Sequence, residues 1–318
     1  MLFKKKQSQY GSKVYRLIFS EKLKKIRLLA AFLFLFLAIG LAIHIFSEAR
    51  TSLTNEKREM LQYWNAENFE KVYILSKNAL IDKPVDYFFL TINGFSAYQL
   101  GISQINNQDK LFFINECIIS LRKALLLKEA ANDGRIHYVL GKAYYYKGSD
   151  FSDLAIKYLE KANQLSHDAA DIPEFLGLSY AMAGDYRSSV EAFTRAFLPG
   201  TTPSDNLLLS IARSYIALNE FTMAEGYLRR CIDTSPDSNS VIIARFLLAE
   251  IYMNSGNFEN AQIQYYSILS DSGENAEVRF QLGELYNLAG DTTRARAEWR
   301  LAVRQDPTHA RARTRLNI

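Results

Sequence analysis

The chain has 318 residues, 48% of them hydrophobic and 23% charged, with a formal net charge of +4. That balance supports a packed core, and 6 prolines and 15 glycines leave little material for long structureless linkers. Its two cysteines, Cys117 and Cys231, lie far apart and outside any CxxC pair, so neither a zinc knuckle nor a disulfide framework is written here. Each reads as a small core residue, with a bridge between them the minor alternative.

Residues 1–27 form a basic segment with Lys4, Lys5, Lys6, Lys13, Arg16, Lys22, Lys24, Lys25 and Arg27 against the single acid Glu21. Residues 28–46 then read LLAAFLFLFLAIGLAIHIF, an uncharged run about as long as the ~20 residues that cross a bilayer core. The following residues mix signs, with Glu48, Arg50, Glu56, Lys57, Arg58 and Glu59. Basic flanks stay in the cytoplasm, so the pattern predicts a signal-anchor helix with its N-terminus inside and the rest of the chain outside. The competing reading is a cleaved signal peptide, for which Ser47-Glu48-Ala49 is a passable small-x-small site. The apolar run exceeds the roughly 7–15 residues of a signal core, which favours the anchor.

Residues 47–133 carry a degenerate helical pattern. Phe69, Ala79 and Pro84 mark its earliest part. Gly94 and Gly101 then occupy a small position and a turn position, followed by Cys117/Leu121/Ala124 on a second helix, with an Asn- and Gln-rich insertion near 102–110 between them.

From 134 to 309 the pattern becomes regular. Leu140-Gly141 precedes Tyr144, Leu176-Gly177 precedes Tyr180, Ile211-Ala212 precedes Tyr215, Leu248-Ala249 precedes Tyr252, and Leu282-Gly283 precedes Tyr286. A turn residue follows each time: Gly148, Gly184, Asn219, Gly256 and Gly290. A small, large, small stripe comes next, as Ala155/Leu159/Ala162, Ser189/Phe193/Ala196, Ala224/Leu228/Cys231, Ala261/Tyr265/Ile268 and Ala295/Trp299/Ala302. The small residue admits a second helix at close range, and the tyrosine shares its face. The turn residue can take a left-handed conformation that ends the first helix. The 4-then-3 spacing draws one apolar stripe on the second helix. Each unit is thus a helix pair with one face that only a neighbouring unit can cover. Residues 310–318 are an Arg-rich end, with Arg311, Arg313 and Arg315, too short for another pair and placed to extend the last helix as a partial cap.

These residues resemble the tetratricopeptide repeat (TPR), a helix-turn-helix unit of about 34 residues. The resemblance implies an all-α, right-handed α-solenoid behind one transmembrane helix. It also implies that the first helices of successive units line a groove. Carried over slot by slot, the groove positions hold Phe95 and Tyr98; Arg135, Tyr138, Lys142, Tyr145 and Tyr146; Asp171, Glu174 and Leu178; Leu209 and Arg213; Phe246, Glu250 and Asn254; and Phe280, Glu284 and Asn287. An aromatic groove of mixed charge suits extended or helical peptide segments. The fifth and ninth slots do not reproduce the Lys/Asn clamp with which some relatives grip a C-terminal carboxylate.

No catalytic, cofactor or metal motif is visible. His44, His137, His167 and His309 show neither HxxxH nor HExxH spacing, and there is no phosphate loop or GxSxG elbow. The expectation is therefore a non-enzymatic, membrane-anchored scaffold of the inner membrane, without a cofactor, whose outward groove binds other proteins of an envelope complex. Nucleic acid is not an expected partner. The alternatives are a glycan- or cell-wall-assembly helper that uses the same groove, and a cleaved, soluble periplasmic binder. Replacing Tyr145 and Tyr146 by Ala is expected to weaken partner capture and leave thermal stability nearly unchanged.

Overall fold

The computed structural model describes residues 54–197 and 203–318. The basic segment 1–27 and the predicted anchor 28–46 lie outside these residues. Among the described residues there is no strand, and no helix is long and apolar enough to cross a membrane.

The chain divides into two units, one ending at Ala79 and the other running from Leu80 to Ile318. In the first, α1 covers 54–65 and α2 is Phe69–Asp82, whose last residues pass the boundary. Glu67 turns the chain with a φ of 55°, Trp64 meets Phe69 edge-on at 5.1 Å, and the Asn68 side chain caps Lys71 N–H.

The second unit is a run of helix pairs: α3 (Tyr87–Ser103) with α4 (Asn107–Ala124), α5 (Gly134–Lys147) with α6 (Ser152–Gln164), α7 (Ile172–Met182) with α8 (Tyr186–Arg195), α9 (Asp205–Ala217) with α10 (Phe221–Thr234), α11 (Ser238–Asn254) with α12 (Phe258–Ser272), and α13 (Ala276–Leu288) with α14 (Thr292–Gln305). The second helix of each pair also packs on the first helix of the next, which makes the array a solenoid. A short helix, α15 (Ala310–Leu316), follows.

The turns explain the phase of the repeat. Gly184, Asn219, Gly256 and Gly290 all have positive φ, between 60° and 83°. There the next residue's N–H reaches back to the carbonyl of the repeat tyrosine: Asp185 to Tyr180 at 3.0 Å, Glu220 to Tyr215 at 2.9 Å, Asn257 to Tyr252 and Asp291 to Tyr286 both at 2.8 Å. This is a Schellman closure, and it consumes carbonyls that a helix end would otherwise leave orphaned. Asp185, Asn257 and Asp291 then cap the second helix with their side chains, so one dipeptide ends one helix and starts the next. Gly148 differs, with φ 120° and ψ 177°, and feeds a single 3-10 turn at Ser149–Phe151. That turn lengthens the link between α5 and α6.

The stripes form the core. Ala155/Leu159/Ala162, Ala224/Leu228/Cys231, Ala261/Tyr265/Ile268 and Ala295/Trp299/Ala302 are buried; Ser189 and Phe193 are too, while Ala196 at the end of α8 is half-buried. Burying each Leu- or Phe-sized side chain contributes about 1.5–3 kcal/mol. The small positions set the helix spacing: a Cβ at Gly177 would lie 2.4 Å from the Phe193 ring, and one at Gly141 2.5 Å from Leu159 Cγ. Cys117 and Cys231 are buried free thiols.

Two features depart from the sequence reading. The stretch at 102–110 lengthens two helices rather than standing as an inserted loop. α3 continues to Ser103, and Asn106 caps α4 by accepting from Gln108 N–H, so only Gln104, Ile105 and Asn106 connect them. The Arg-rich end does not extend α14. Asp306 ends that helix, its carboxylate accepts from Thr308 N–H at 2.8 Å, and α15 folds back. Arg311 reaches Glu277 at 2.6 Å, Arg315 reaches Glu284 at 2.9 Å, and Ala312 is fully buried.

Candidate peptide-binding face

The first helices follow one another along one side of the second unit, with α3 beside α5, α5 beside α7, α7 beside α9 and α9 beside α11. Helical spacing of three and four residues puts the fifth, ninth and twelfth slots of each on a common stripe.

The structure gathers Tyr98 of α3, Tyr138, Lys142, Tyr145 and Tyr146 of α5, and Asp171 and Glu174 at the start of α7 into one cluster. Lys142 is its hub. Its ammonium donates to an Asp171 carboxylate oxygen at 2.7 Å and to the Tyr138 hydroxyl at 2.9 Å, and Tyr138 in turn donates to Asp171 at 2.8 Å. The same ammonium lies 4.3 Å from the Phe175 ring centre, 4.8 Å from that of Tyr138 and 5.8 Å from that of Tyr98. Only 13% of the Lys142 side chain is exposed. Cation–π attraction to three rings plus an ion pair compensates its partial desolvation. Burial, then the neighbouring Asp171 carboxylate, raise the Tyr138 phenol well above the ordinary tyrosine range. Tyr98 is raised by its own burial and by the nearby phenols.

Beside this hub stand Tyr145, Tyr146 and Glu174. Tyr145 meets Phe175 edge-on at 5.3 Å, Tyr146 meets it at 6.1 Å, and Tyr146 also reaches Tyr98 at 6.3 Å. The rings therefore bridge α3, α5 and α7. The Glu174 carboxyl is pushed up, first by burial and then by the Asp171 charge, with Lys142 acting in the opposite sense.

The remaining predicted residues lie outside this cluster. Arg135 is exposed and forks onto Asp133 at 3.0 and 2.7 Å, while Tyr87 donates to the same carboxylate. Phe95 is half-buried on α3. Arg213, Glu250 and Asn254 are exposed, and Phe246 is half-buried 6.0 Å from Tyr265. Phe280 and Glu284 are covered by α15, because Arg311 sits 4.7 Å over the Phe280 ring and Arg315 pairs with Glu284. Leu209 is buried and serves the core. Phe175, a central ring of the cluster, was not among the predicted residues. It directly follows the fifth-slot Glu174, at a position outside the groove slots.

Among the described residues no group of His, Cys, Asp and Glu side chains is placed to hold a metal ion.

Residues 207–241 and 246–310 each match a family described as tetratricopeptide repeat. No curated protein matches the chain. Among solved structures, the C-terminal part of a TPR repeat-containing protein from Cytophaga hutchinsonii superposes with a TM-score of 0.61 at 14% identity, covering 80% of this chain and 97% of that one. PilW, a widely conserved type IV pilus biogenesis factor, gives 0.54 at 19% identity, covering 70% of this chain and 98% of its own. The pilF protein of Pseudomonas aeruginosa gives 0.51 at 14%, covering 70% and 96%. The two matched segments, the hairpin geometry and these likenesses agree: the chain carries tetratricopeptide repeats stacked as an all-helical solenoid.

Proposed function

We propose that this chain is a membrane-anchored scaffold that holds its repeat face outside the cytoplasm and binds peptide segments of an envelope complex. The observation that carries the binding role is the cluster of Tyr98, Tyr138, Lys142, Tyr145, Tyr146, Glu174 and Phe175 on three successive first helices. A surface of rings and charges that spans several units, half-buried except for the buried Tyr98, fits an extended or helical segment better than a small molecule. The anchoring and the sidedness rest on the uncharged run 28–46 and its basic flank. The fold serves type IV pilus biogenesis in PilW, which is in keeping with an envelope role.

The test is site-specific photo-cross-linking in native membranes. A photoreactive residue at Arg213 or Glu250 sits on the proposed face at an exposed position, so it costs no packing. One at the exposed Lys157 on α6 is the off-face control. Cross-links from Arg213 and Glu250 to a discrete partner are expected. Cross-links from Lys157 alone, with none from the face, would refute the assignment. Protection of residues 54–318 from protease on spheroplasts or right-side-out inner-membrane vesicles would refute the sidedness.

A further inference from the structure

We infer that the Glu174 side of this face takes a cationic side chain, lysine or arginine, from the bound segment. The inference rests on the peptide-binding reading above and names the chemistry of the partner.

Glu174 is half-buried, and among the described residues no basic side chain forms an ion pair with it. The two charges that bear on it are Asp171 and Lys142, and Asp171 acts the more strongly. Lys142 is already spent, with its ammonium bound to Asp171 and Tyr138 and packed against three rings. Taking Lys142, Asp171 and Glu174 together, the cluster holds one negative charge in excess. Its wall is aromatic: Tyr145 and Tyr146 both feel the Glu174 charge, and Phe175 lies edge-on to Tyr145. A half-buried carboxylate next to Phe175 and one helical turn after Asp171, in an aromatic cluster partly withdrawn from water, is the environment that favours an ammonium or guanidinium. An acidic side chain placed there would meet the excess negative charge.

The chain shows the same mode on itself. At its C-terminal end, Arg311 lies over Phe280 and pairs with Glu277, while Arg315 pairs with Glu284 and lies 5.7 Å from the Trp299 ring. There, first-helix carboxylates and aromatic rings are filled by two arginines four residues apart on a helix. At Glu174 the carboxylate stands in an aromatic cluster whose one cation, Lys142, is bound to Asp171 instead.

The test uses the full chain in detergent micelles and three fluorescein-labelled ten-residue peptides, rich in Arg, Lys or Glu, followed by fluorescence anisotropy. The net charge of +4 favours the Glu-rich peptide nonspecifically, so preference for the basic ones is discriminating. The Arg- and Lys-rich peptides are expected to bind at least about tenfold more tightly than the Glu-rich one. Glu174→Gln is expected to weaken them by about tenfold, in line with loss of one charge-assisted contact. Glu191→Gln, which removes an exposed charge from α8, should leave them unchanged. Equal binding by Glu174→Gln and wild type overturns the inference, as does equal weakening by Glu191→Gln, a tighter Glu-rich peptide, or binding of none. Cross-linking from Arg213 and Glu250 together with any of these results leaves the scaffold reading standing and removes only its basic-peptide preference.

Discussion

Gly283→Ala puts the close-approach reading of the repeat under direct strain. In an unconstrained helix the exchange stabilises by about 1 kcal/mol, because glycine gives up more backbone freedom than alanine. Here the added Cβ would lie 2.3 Å from Trp299 Cδ1 and Nε1 and 3.0 Å from Cγ. Ordinary carbon contacts sit near ~3.5–4.0 Å, so the indole must retreat by more than about 1 Å. Trp299 is buried between Ala295 and Ala302 on α14, so the ring moves only if the two helices part. Overpacking of that size costs about 3 kcal/mol, the upper end of the usual range, and the net expectation is a loss of about 2 kcal/mol. Urea unfolding of the full chain followed by tryptophan fluorescence reads this near the site, since Trp299 and Trp64 are the only tryptophans. The partner variant is Trp299→Leu, because Ala212 and Leu228, both fully buried, fill the same two positions in another hairpin. In the double variant the two changes should couple favourably by at least about 1 kcal/mol. A stability for Gly283→Ala at or above wild type would refute the argument that the glycine is there for helix contact, and so would simple additivity in the cycle.

Asp171→Ala should destabilise by about 1.5–3 kcal/mol, because it leaves the mostly buried Lys142 ammonium without its carboxylate, whereas Lys142→Met should cost under about 1.5 kcal/mol; equal losses in thermal unfolding would contradict the hub role. Burial works against the Asp133 carboxylate, but hydrogen bonds from Arg135 and Tyr87 outweigh it and hold its pKa at about 2 rather than the ordinary 3.8. A depressed folded-state pKa gives stability that is complete above the unfolded value and disappears as pH falls through the folded one, so Asp133→Asn should shrink the fall in Tm between about pH 4 and about pH 2, and an unchanged fall would count against the pairing. Deleting residues 310–318 should uncover Phe280 and Trp299, speed amide exchange in α13 and α14 and leave α3 to α8 unaffected, and uniform exchange across both halves would contradict the nearest-neighbour energetics of the array.

How much of this was legible depended on whether a feature is local to one hairpin. The tyrosine, the turn glycine and the small, large, small stripe all act within about 25 residues, and periodicity carries them straight into helix ends and core. Asn219 at φ 60° is where the same turn is written without glycine. What lies between hairpins was less visible. The pairing of Lys142 with Asp171 needs the register of α5 on α7, which no single repeat encodes. The docking of α15 needed the knowledge that Glu277 and Glu284 would find their arginines in the tail rather than in a partner, so Phe280 and Glu284 look open in the sequence and are closed in the fold. The 102–110 stretch misleads for another reason: Asn and Gln suggest a loop, yet Asn106 caps a helix and lets the chain begin α4 early.

The tyrosine pair shows why site and scaffold are hard to separate on such a face. Read from sequence, Tyr145→Ala with Tyr146→Ala should be silent in stability. In the fold each ring touches another helix, Tyr145 on Phe175 and Tyr146 on both Phe175 and Tyr98. Full truncation of a core aromatic costs about 3–5 kcal/mol, and each of these rings is only partly buried, so about half of that per ring is the fitting expectation. The double variant should therefore lose about 3–5 kcal/mol, visible as a lower urea midpoint, and weaker partner capture by it would not distinguish a lost contact from a loosened array. Substitution by Phe resolves the two. Tyr145→Phe with Tyr146→Phe keeps the ring packing and removes only the hydroxyls, neither of which donates a described hydrogen bond, so stability should stay within about 0.5 kcal/mol of wild type. If cation–π attraction is what these rings offer a partner, capture should survive in the Phe pair and weaken by about tenfold in Glu174→Gln. Loss of capture in the Phe pair at unchanged stability would move recognition from the ring faces to the phenol oxygens.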